Sequence, residues 1–263
     1  MKIFFVVFFL LVVDLSLHAQ TTFTPAFEVN ADADLFSVDA LGNIYLVNGA
    51  EIIKLNDKGE MYSKFSKKDF GNITSIDPRD PLRILVFYKS FATIRVLDNK
   101  LVEQSIIDLH ILELQDPALI CSADVQGFWV YDNSTSRLTK YNAQLQAISI
   151  SNDLNKTVNE KINSNMLMES DNWLVMNNKS DVLVFDKLGN FFKPVAIPEG
   201  VIQIQMMRDN LVMFTANKMT SIDLKKGNTN DMDLPSSCTD CKHFVSAGHL
   251  YVLEKNKLKA FTF

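Results

Sequence analysis

Asn43-Ile-Tyr-Leu-Val47, a short polar turn and Ile52-Ile-Lys-Leu-Asn56 decide how this chain is read. Two short apolar runs, rich in β-branched and aromatic residues and parted by polar ones, describe a pair of antiparallel strands. The unit returns five more times. Its first runs are Leu82-Arg-Ile-Leu-Val-Phe87, Gly127-Phe-Trp-Val-Tyr131, Asn172-Trp-Leu-Val-Met176, Asn210-Leu-Val-Met-Phe214 and His249-Leu-Tyr-Val-Leu253. Its second runs are Thr93-Ile-Arg-Val-Leu-Asp98, Leu138-Thr-Lys-Tyr-Asn142, Val182-Leu-Val-Phe-Asp186, Met219-Thr-Ser-Ile-Asp223 and Leu258-Lys-Ala-Phe-Thr262. The residue closing each pair acts as a ruler, at Asn56, Asp98, Asn142, Asp186, Asp223 and Thr262.

A strand-only repeat of roughly 40 residues is the signature of a β-propeller blade. A four-stranded blade is apolar on both faces and must stack on neighbours, and a ring leaves no end face bare. The fold expected is therefore all-β, a six-bladed β-propeller spanning residues 20–263 as a single domain. The last repeat stops after its third strand, while Thr22-Phe-Thr-Pro-Ala-Phe-Glu-Val29 is a lone strand at the other end. That N-terminal strand is expected to become the outer strand of the last blade and so remove an open seam. Turns such as Asp57-Lys58-Gly59, Lys187-Leu188-Gly189-Asn190 and Lys225-Lys226-Gly227-Asn228 supply glycine where a tight turn needs positive φ.

Residues 1–19 read as a secretory signal peptide: Met1-Lys2, an apolar run from Ile3 to Val13, and a small residue at Ala19 before the expected cut. The run is too short for a bilayer span. The rest of the chain is then expected to be soluble, periplasmic or secreted. Hydrophobic residues make up 47% of the chain, which excludes a disordered polymer, and a net charge of -5 disfavours a general nucleic-acid binder.

No set of residues announces catalysis. His110, His243 and His249 lack a matching nucleophile, and no Gly-x-Ser-x-Gly elbow is present. Neither a metal nor a cofactor is expected. Asn30-Ala-Asp32-Ala-Asp34 alternates oxygen side chains but lacks the glycine and distal glutamate of a calcium loop, so a polar turn is the better reading. Cys238-Thr-Asp-Cys241 admits a local disulfide, two free thiols, half a zinc site or a redox pair. The disulfide is favoured in an exported protein. Cys121, in the run Ala118-Leu-Ile-Cys121, reads as buried core. Met166, Met168, Met176, Met206, Met207, Met213 and Met219 read as packing between the fourth and fifth blades. Sequons begin at Asn72, Asn133, Asn155 and Asn178 and are read as chance in an asparagine-rich chain.

One face of a propeller collects the turns between second and third strands and the links between blades, and partners commonly bind there. On this chain it would carry Lys67, Lys68, Phe70, Lys89 and Phe91, an aromatic-basic group around the first two blades. It would also carry Asn133-Ser-Thr-Ser136 and the long links Leu109 to Pro117 and Ser151 to Asn165.

Asp80-Pro-Leu-Arg-Ile-Leu-Val-Phe-Tyr-Lys-Ser-Phe91, followed by Val96-Leu-Asp-Asn99, resembles secreted propeller-like proteins of Bacteroidota to which no activity is assigned. The signal ending His18-Ala19-Gln20 is similar to signal ends in those bacteria. More broadly the repeat is similar to periplasmic propellers, some of them scaffold subunits of outer-membrane barrel assembly and others sugar- or lactone-processing enzymes. The repeat, the signal and the missing catalytic set favour a non-enzymatic periplasmic interaction module with a protein partner, such as an outer-membrane assembly or secretion complex. The alternatives are a small-ligand or glycan binder and a calcium-dependent lactonase-like or glycan-cleaving enzyme.

Overall fold

The computed structural model describes residues 23–124 and 126–263. The leader read at residues 1–19 lies outside the described residues. β1 (Thr24–Asn30) comes first and does not pair with its sequence neighbours. β2 (Leu35–Val38), β3 (Ile44–Asn48), β4 (Glu51–Leu55) and β5 (Met61–Ser66) make the first blade. β6 (Ser75–Asp77), β7 (Ile84–Tyr88), β8 (Thr93–Leu97) and β9 (Glu103–Asp108) make the second. β10 (Pro117–Ser122), β11 (Phe128–Asp132), β12 (Arg137–Tyr141) and β13 (Ala147–Ile150) make the third. A one-turn helix, α1 (Leu154–Thr157), lies in the following link. β14 (Leu167–Glu169), β15 (Leu174–Asn178), β16 (Asp181–Phe185) and β17 (Phe191–Ala196) make the fourth. β18 (Gln203–Met207), β19 (Asn210–Phe214), β20 (Lys218–Asp223) and β21 (Thr229–Asp233) make the fifth. The sixth is β22 (Cys241–Ser246), β23 (His249–Glu254) and β24 (Lys257–Thr262), with β1 as its outer strand. The expected six-bladed ring and its N-terminal closure are both present.

The strand pairs read from the sequence are the middle strands of each blade. The second strands are nearly continuous apolar runs because both faces are covered by neighbouring blades, whereas third strands admit polar residues such as Lys54, Arg95 and Lys140. β7 and β11 are buried at every residue. On an outer strand alternation returns, and β17 alternates half-buried and exposed residues along its length. One apolar cluster fills each seam between blades; Leu85, Phe87 and Ile94 meet Phe128 and Val130 between the second and third. Ile44, Leu46 and Leu55 meet Tyr251, Leu253 and Leu258 where the ring closes.

The ruler has a local cause. Asn56 Oδ1 accepts from the N–H groups of Lys58 and Glu60 at 3.0 and 2.9 Å. Asp98, Asn142 and Asp186 do the same two and four residues on, and Asp223 two and three residues on. Each is an Asx turn, which takes the chain from third to outer strand without another blade's help. At Gly59 the turn needs glycine twice: φ is +81°, and a Cβ would lie 2.8 Å from the ring of Phe27 on the closing strand.

A second repeated bond defines the opposite face. The backbone N–H groups of Ala31, Ile73, Leu109, Leu154, Ile197 and Leu234 donate to Asn256, Gly49, Ala92, Ser136, Ser180 and Asn217. Each residue lies just beyond an outer strand, and each acceptor sits in a turn between second and third strands. Links and turns are thereby tied together on one face.

The structure amends some readings. Leu82 is not in a strand; β7 starts at Ile84, and Leu82 is 71% exposed in the preceding turn. Met166, Met168, Met206 and Met213 do pack between the fourth and fifth blades. Met176 faces the third blade, while Met207 and Met219 face the sixth. The reason is the two-residue period of a strand, which sends neighbouring side chains to opposite seams. In the Asn30-Asp34 segment, Asp32 accepts from Asn48 Nδ2 and Asp34 from the Gly49 N–H, at 3.1 and 2.9 Å, so these carboxylates brace a turn.

Candidate functional site

On the face of links and turns, Phe70 and Phe91 meet with ring centroids 5.3 Å apart, and Tyr88 lies 5.6 Å from Phe70. Phe91 ends a short 3-10 turn, Lys89–Phe91, that joins β7 to β8. Ala92 in the left-handed region stops this turn, and the Lys89 N–H donates to Thr74 Oγ1 at 3.0 Å. Phe91 is 45% exposed.

Beneath the rings is Arg95, on β8, only 1% exposed. Its guanidinium carbon lies 4.4 Å from the Phe70 centroid and 5.7 Å from that of Tyr88. Such stacking lets a desolvated guanidinium find partial compensation on a ring face. Arg95 also pairs with Asp69, at 2.5 Å, and with Glu103. Burial would push the Glu103 carboxyl up, but hydrogen bonds from Lys67 and Arg95 hold it below its ordinary value. Lys67 reaches Glu103 at 3.0 Å.

The group read from the sequence is thus partly assembled. Phe70 and Phe91 come together, and Lys67 is committed to Glu103. Lys68 lines a separate cleft with Asp32, Glu51 and Met61 at the closing seam. Lys89 begins the turn that carries Phe91. The sequence reading missed Arg95, whose only signal was a cation inside the apolar run Thr93-Ile-Arg-Val-Leu97.

The axis is the other place to look, because an enzyme of the lactonase kind would put its acids there. A cavity of about 200 Å³ is lined by Ile76, Leu119, Met166, Met168, Met206 and Phe244. Arg79, Glu169 and Gln205 line both it and a bowl of about 550 Å³ on the opposite face. These polar residues perform a common task. The innermost strand of each blade has an unpaired edge, and unpaired buried backbone groups are costly. Gln205 accepts from the Val245 N–H and donates to its carbonyl, at 2.9 and 2.6 Å. Gln203 does the same to His243 at 2.7 and 2.5 Å. Asp77 accepts from the Ser122 N–H at 2.7 Å while Arg79 donates to the Ser122 carbonyl. Glu169 accepts from the Asp124 N–H, Lys187 Nζ and Trp129 Nε1 at 3.0, 2.9 and 2.6 Å.

Asp77, Asp124 and Glu169 therefore face Arg79, Lys140 and Lys187 in ion pairs. These carboxylates are committed to cations, and Asp77 and Glu169 also to backbone amides. They offer a divalent ion no unshared charge, whereas calcium takes most of its coordination from such oxygens. Burial raises the Asp77 carboxyl, but the Arg79 guanidinium and the amide hydrogen bonds hold it below its ordinary value. The folded-state pKa is depressed, so the stabilisation is complete above the unfolded pKa, near about 4, and is lost as pH falls through the folded one. Asp77→Asn is expected to cost about 1–3 kcal/mol at neutral pH, through the weakened Arg79 and Ser122 contacts. It should also make the acid limb shallower. Urea midpoints at neutral and acid pH check both, and parallel acid limbs would assign the acid sensitivity elsewhere.

The remaining candidates are quiet. His243 is buried and stacked on Phe214 with centroids 5.0 Å apart, and burial pushes its imidazole down to about 4, so the ring is neutral. His110 pairs with Asp108 at 2.9 Å on the surface. Cys121 is buried, and burial pushes its thiol far up. The sulfurs of Cys238 and Cys241 are bonded, with Cα atoms 5.8 Å apart. Among the described residues no helix is long and apolar enough to cross a membrane.

The sequence matches no family model and no curated protein. The fold is similar to several solved structures. Virginiamycin B lyase from Staphylococcus aureus, as a catalytically inactive variant with quinupristin, is 12% identical with a TM-score of 0.62, over 90% of this chain and 98% of that one. The WD40 domain of Neurospora crassa Pan2 is 9% identical with a TM-score of 0.59, over 91% and 95%. BBS1N in its complex with ARL6DN is 12% identical with a TM-score of 0.55, over 90% and 77%. At these identities the likeness is one of fold: a lyase, a WD40 domain and a partner-bound propeller share one architecture with this chain.

Proposed function

We propose that this chain is a non-enzymatic protein-interaction module, exported to the periplasm or beyond, that docks a partner on its link-and-turn face. The class of partner is an outer-membrane assembly or protein-secretion complex. The observation that carries the reading is Phe91, exposed on Phe70 above the buried Arg95. A rigid aromatic at a loop tip, held in place by its stack on Phe70, which lies against Arg95, is the kind of exposed anchor around which interface hot spots form. Of the acids at the axis, Asp77, Asp124 and Glu169 are already held in ion pairs and so offer a calcium-dependent enzyme little, and fold alone does not supply a chemistry.

The double variant Phe91→Asp with Lys89→Ala tests it. Both side chains are outside the seam clusters, so the melting temperature should stay within a few degrees. The tagged wild type, recovered from envelope extract in mild detergent, should bring down a partner that the variant recovers at least about tenfold less, the loss of one hot spot of about 1.4–2 kcal/mol. Equal recovery by both proteins would remove the assigned surface, and no partner for either would count against the module itself.

A further inference from the structure

We propose that in the reduced protein Cys238, Cys241 and Glu254 form a binding site for one thiophilic divalent cation, Zn²⁺ being the type, and that disulfide and metal are alternative occupants of this corner of the sixth blade. The two sulfurs and a Glu254 carboxylate oxygen lie within 4.8 Å of one another. The Cys-x-x-Cys spacing alone is half a site. What adds to it is strand register: Cys241 opens β22 directly opposite Glu254, the last residue of β23. The carboxylate is thereby delivered to the sulfur pair from thirteen residues further along the chain.

The positions do not depend on the sulfur–sulfur bond alone. The Cys238 N–H donates to the Ala216 carbonyl at 2.7 Å, which ties the loop to the fifth blade. Cys241 is in the ladder with β23. A Cα separation of 5.8 Å is short enough for both thiolates to reach one ion with small side-chain rotations. Glu254 is held by Lys259 at 2.8 Å. Two thiolates and a carboxylate leave the fourth position of a tetrahedral zinc open. A cleft of about 590 Å³ lined by Asp240, Cys241 and Lys255 provides access from solvent.

The chemistry balances. Two molecules of a thiol reductant give two electrons and two protons to the sulfur pair; the S–S bond breaks, two S–H groups form, and the reductant leaves as its own disulfide. Metal binding then displaces both thiol protons as two sulfur–metal bonds form. Glu254 exchanges its contact with Lys259 for the cation.

Cobalt and zinc titrations decide the matter. The purified chain is reduced with a phosphine, freed of excess reagent without air, and titrated with Co²⁺ and then with Zn²⁺ in competition. Reduced wild type should take up one equivalent, with the near-ultraviolet absorption of thiolate-bound cobalt, and oxidised protein none. Glu254→Gln should keep that absorption but weaken zinc binding by more than the roughly tenfold cost of losing an outer coordination partner. Lys259→Met, which frees Glu254, should tighten it. No thiolate–cobalt absorption in the reduced protein would overturn the proposal, as would unchanged affinity in Glu254→Gln. Loss of the strand signal in circular dichroism on reduction, not restored by metal, would overturn it too, because the site exists only through the β22–β23 register.

Discussion

A chain lacking Thr24–Asn30 is expected to lose its cooperative unfolding transition or to melt far below the intact protein. β1 pairs with β24 from Thr24 opposite Thr262 to Asn30 opposite Lys257. It brings Phe27 and Val29 against the cluster of Leu46, Tyr251 and Leu258 at the closing seam. Half-buried, these two side chains contribute about half of the roughly 1.5–3 kcal/mol that full burial of each would give. Each ladder hydrogen bond adds about 0.5–1.5 kcal/mol. Together these contributions reach about 4 kcal/mol or more, a large share of the about 5–15 kcal/mol stability of an ordinary domain. Deletion also bares the edge of β24, so the product should associate. Calorimetry and size exclusion read both effects. A rearranged chain sharpens the test. Thr24 and Thr262 are already paired, so a short turn can join Phe263 to Thr24 with a new start at Ala31. This chain should regain the melting temperature and the elution volume of the intact protein. A deletion that melts like the wild type would mean that the sixth blade stands without its outer strand.

Glu169→Ala is expected to be the most destabilising single substitution at the axis, by about 3 kcal/mol or more. Removing one member of a buried ion pair costs about 3–5 kcal/mol, because the other is left without a counter-charge. Here Glu169 serves Lys187, Lys140 and the indole N–H of Trp129 at 2.9, 3.7 and 2.6 Å. Lys140 and Lys187 retain Asp124 as a second partner, which places the cost near the lower end of that range. Trp129 is fully buried and retains no such alternative. Glu169→Gln preserves an acceptor for the indole and should lose less. A double-mutant cycle with Trp129→Phe should return a coupling of about 1–3 kcal/mol. A urea midpoint for Glu169→Ala within error of the wild type would show that the axial network contributes little to the ring.

How much of this was legible in the sequence follows from the range of each interaction. The ruler residues Asn56, Asp98, Asn142, Asp186 and Asp223 bond to amides at most four residues away, so their spacing reports directly on the turns. The second strands are equally legible, because covering on both faces demands nearly continuous apolar runs. The inner strands are not. Ser75–Asp77 and Leu167–Glu169 are three residues long and partly polar. Their purpose appears only when Asp77 meets Ser122, or Gln205 meets Val245, some forty residues on. The same holds for the site. Phe70, Phe91 and Lys67 could be named from loop chemistry, whereas Arg95 reads locally as one cation in a strand.

The sequence by itself therefore determined the number of blades, the two middle strands of each, the turn chemistry and the closing role of β1, since these depend on local bonds and on a repeat. Only the tertiary structure decided which polar groups are engaged and which remain available. It set Arg95 under Phe70, paired Asp77, Asp124 and Glu169 with cations and brought Glu254 to Cys238 and Cys241. The reason is physical: a charge becomes structural or functional according to what desolvates and pairs it, and in a ring of blades those partners come from neighbouring strands and blades.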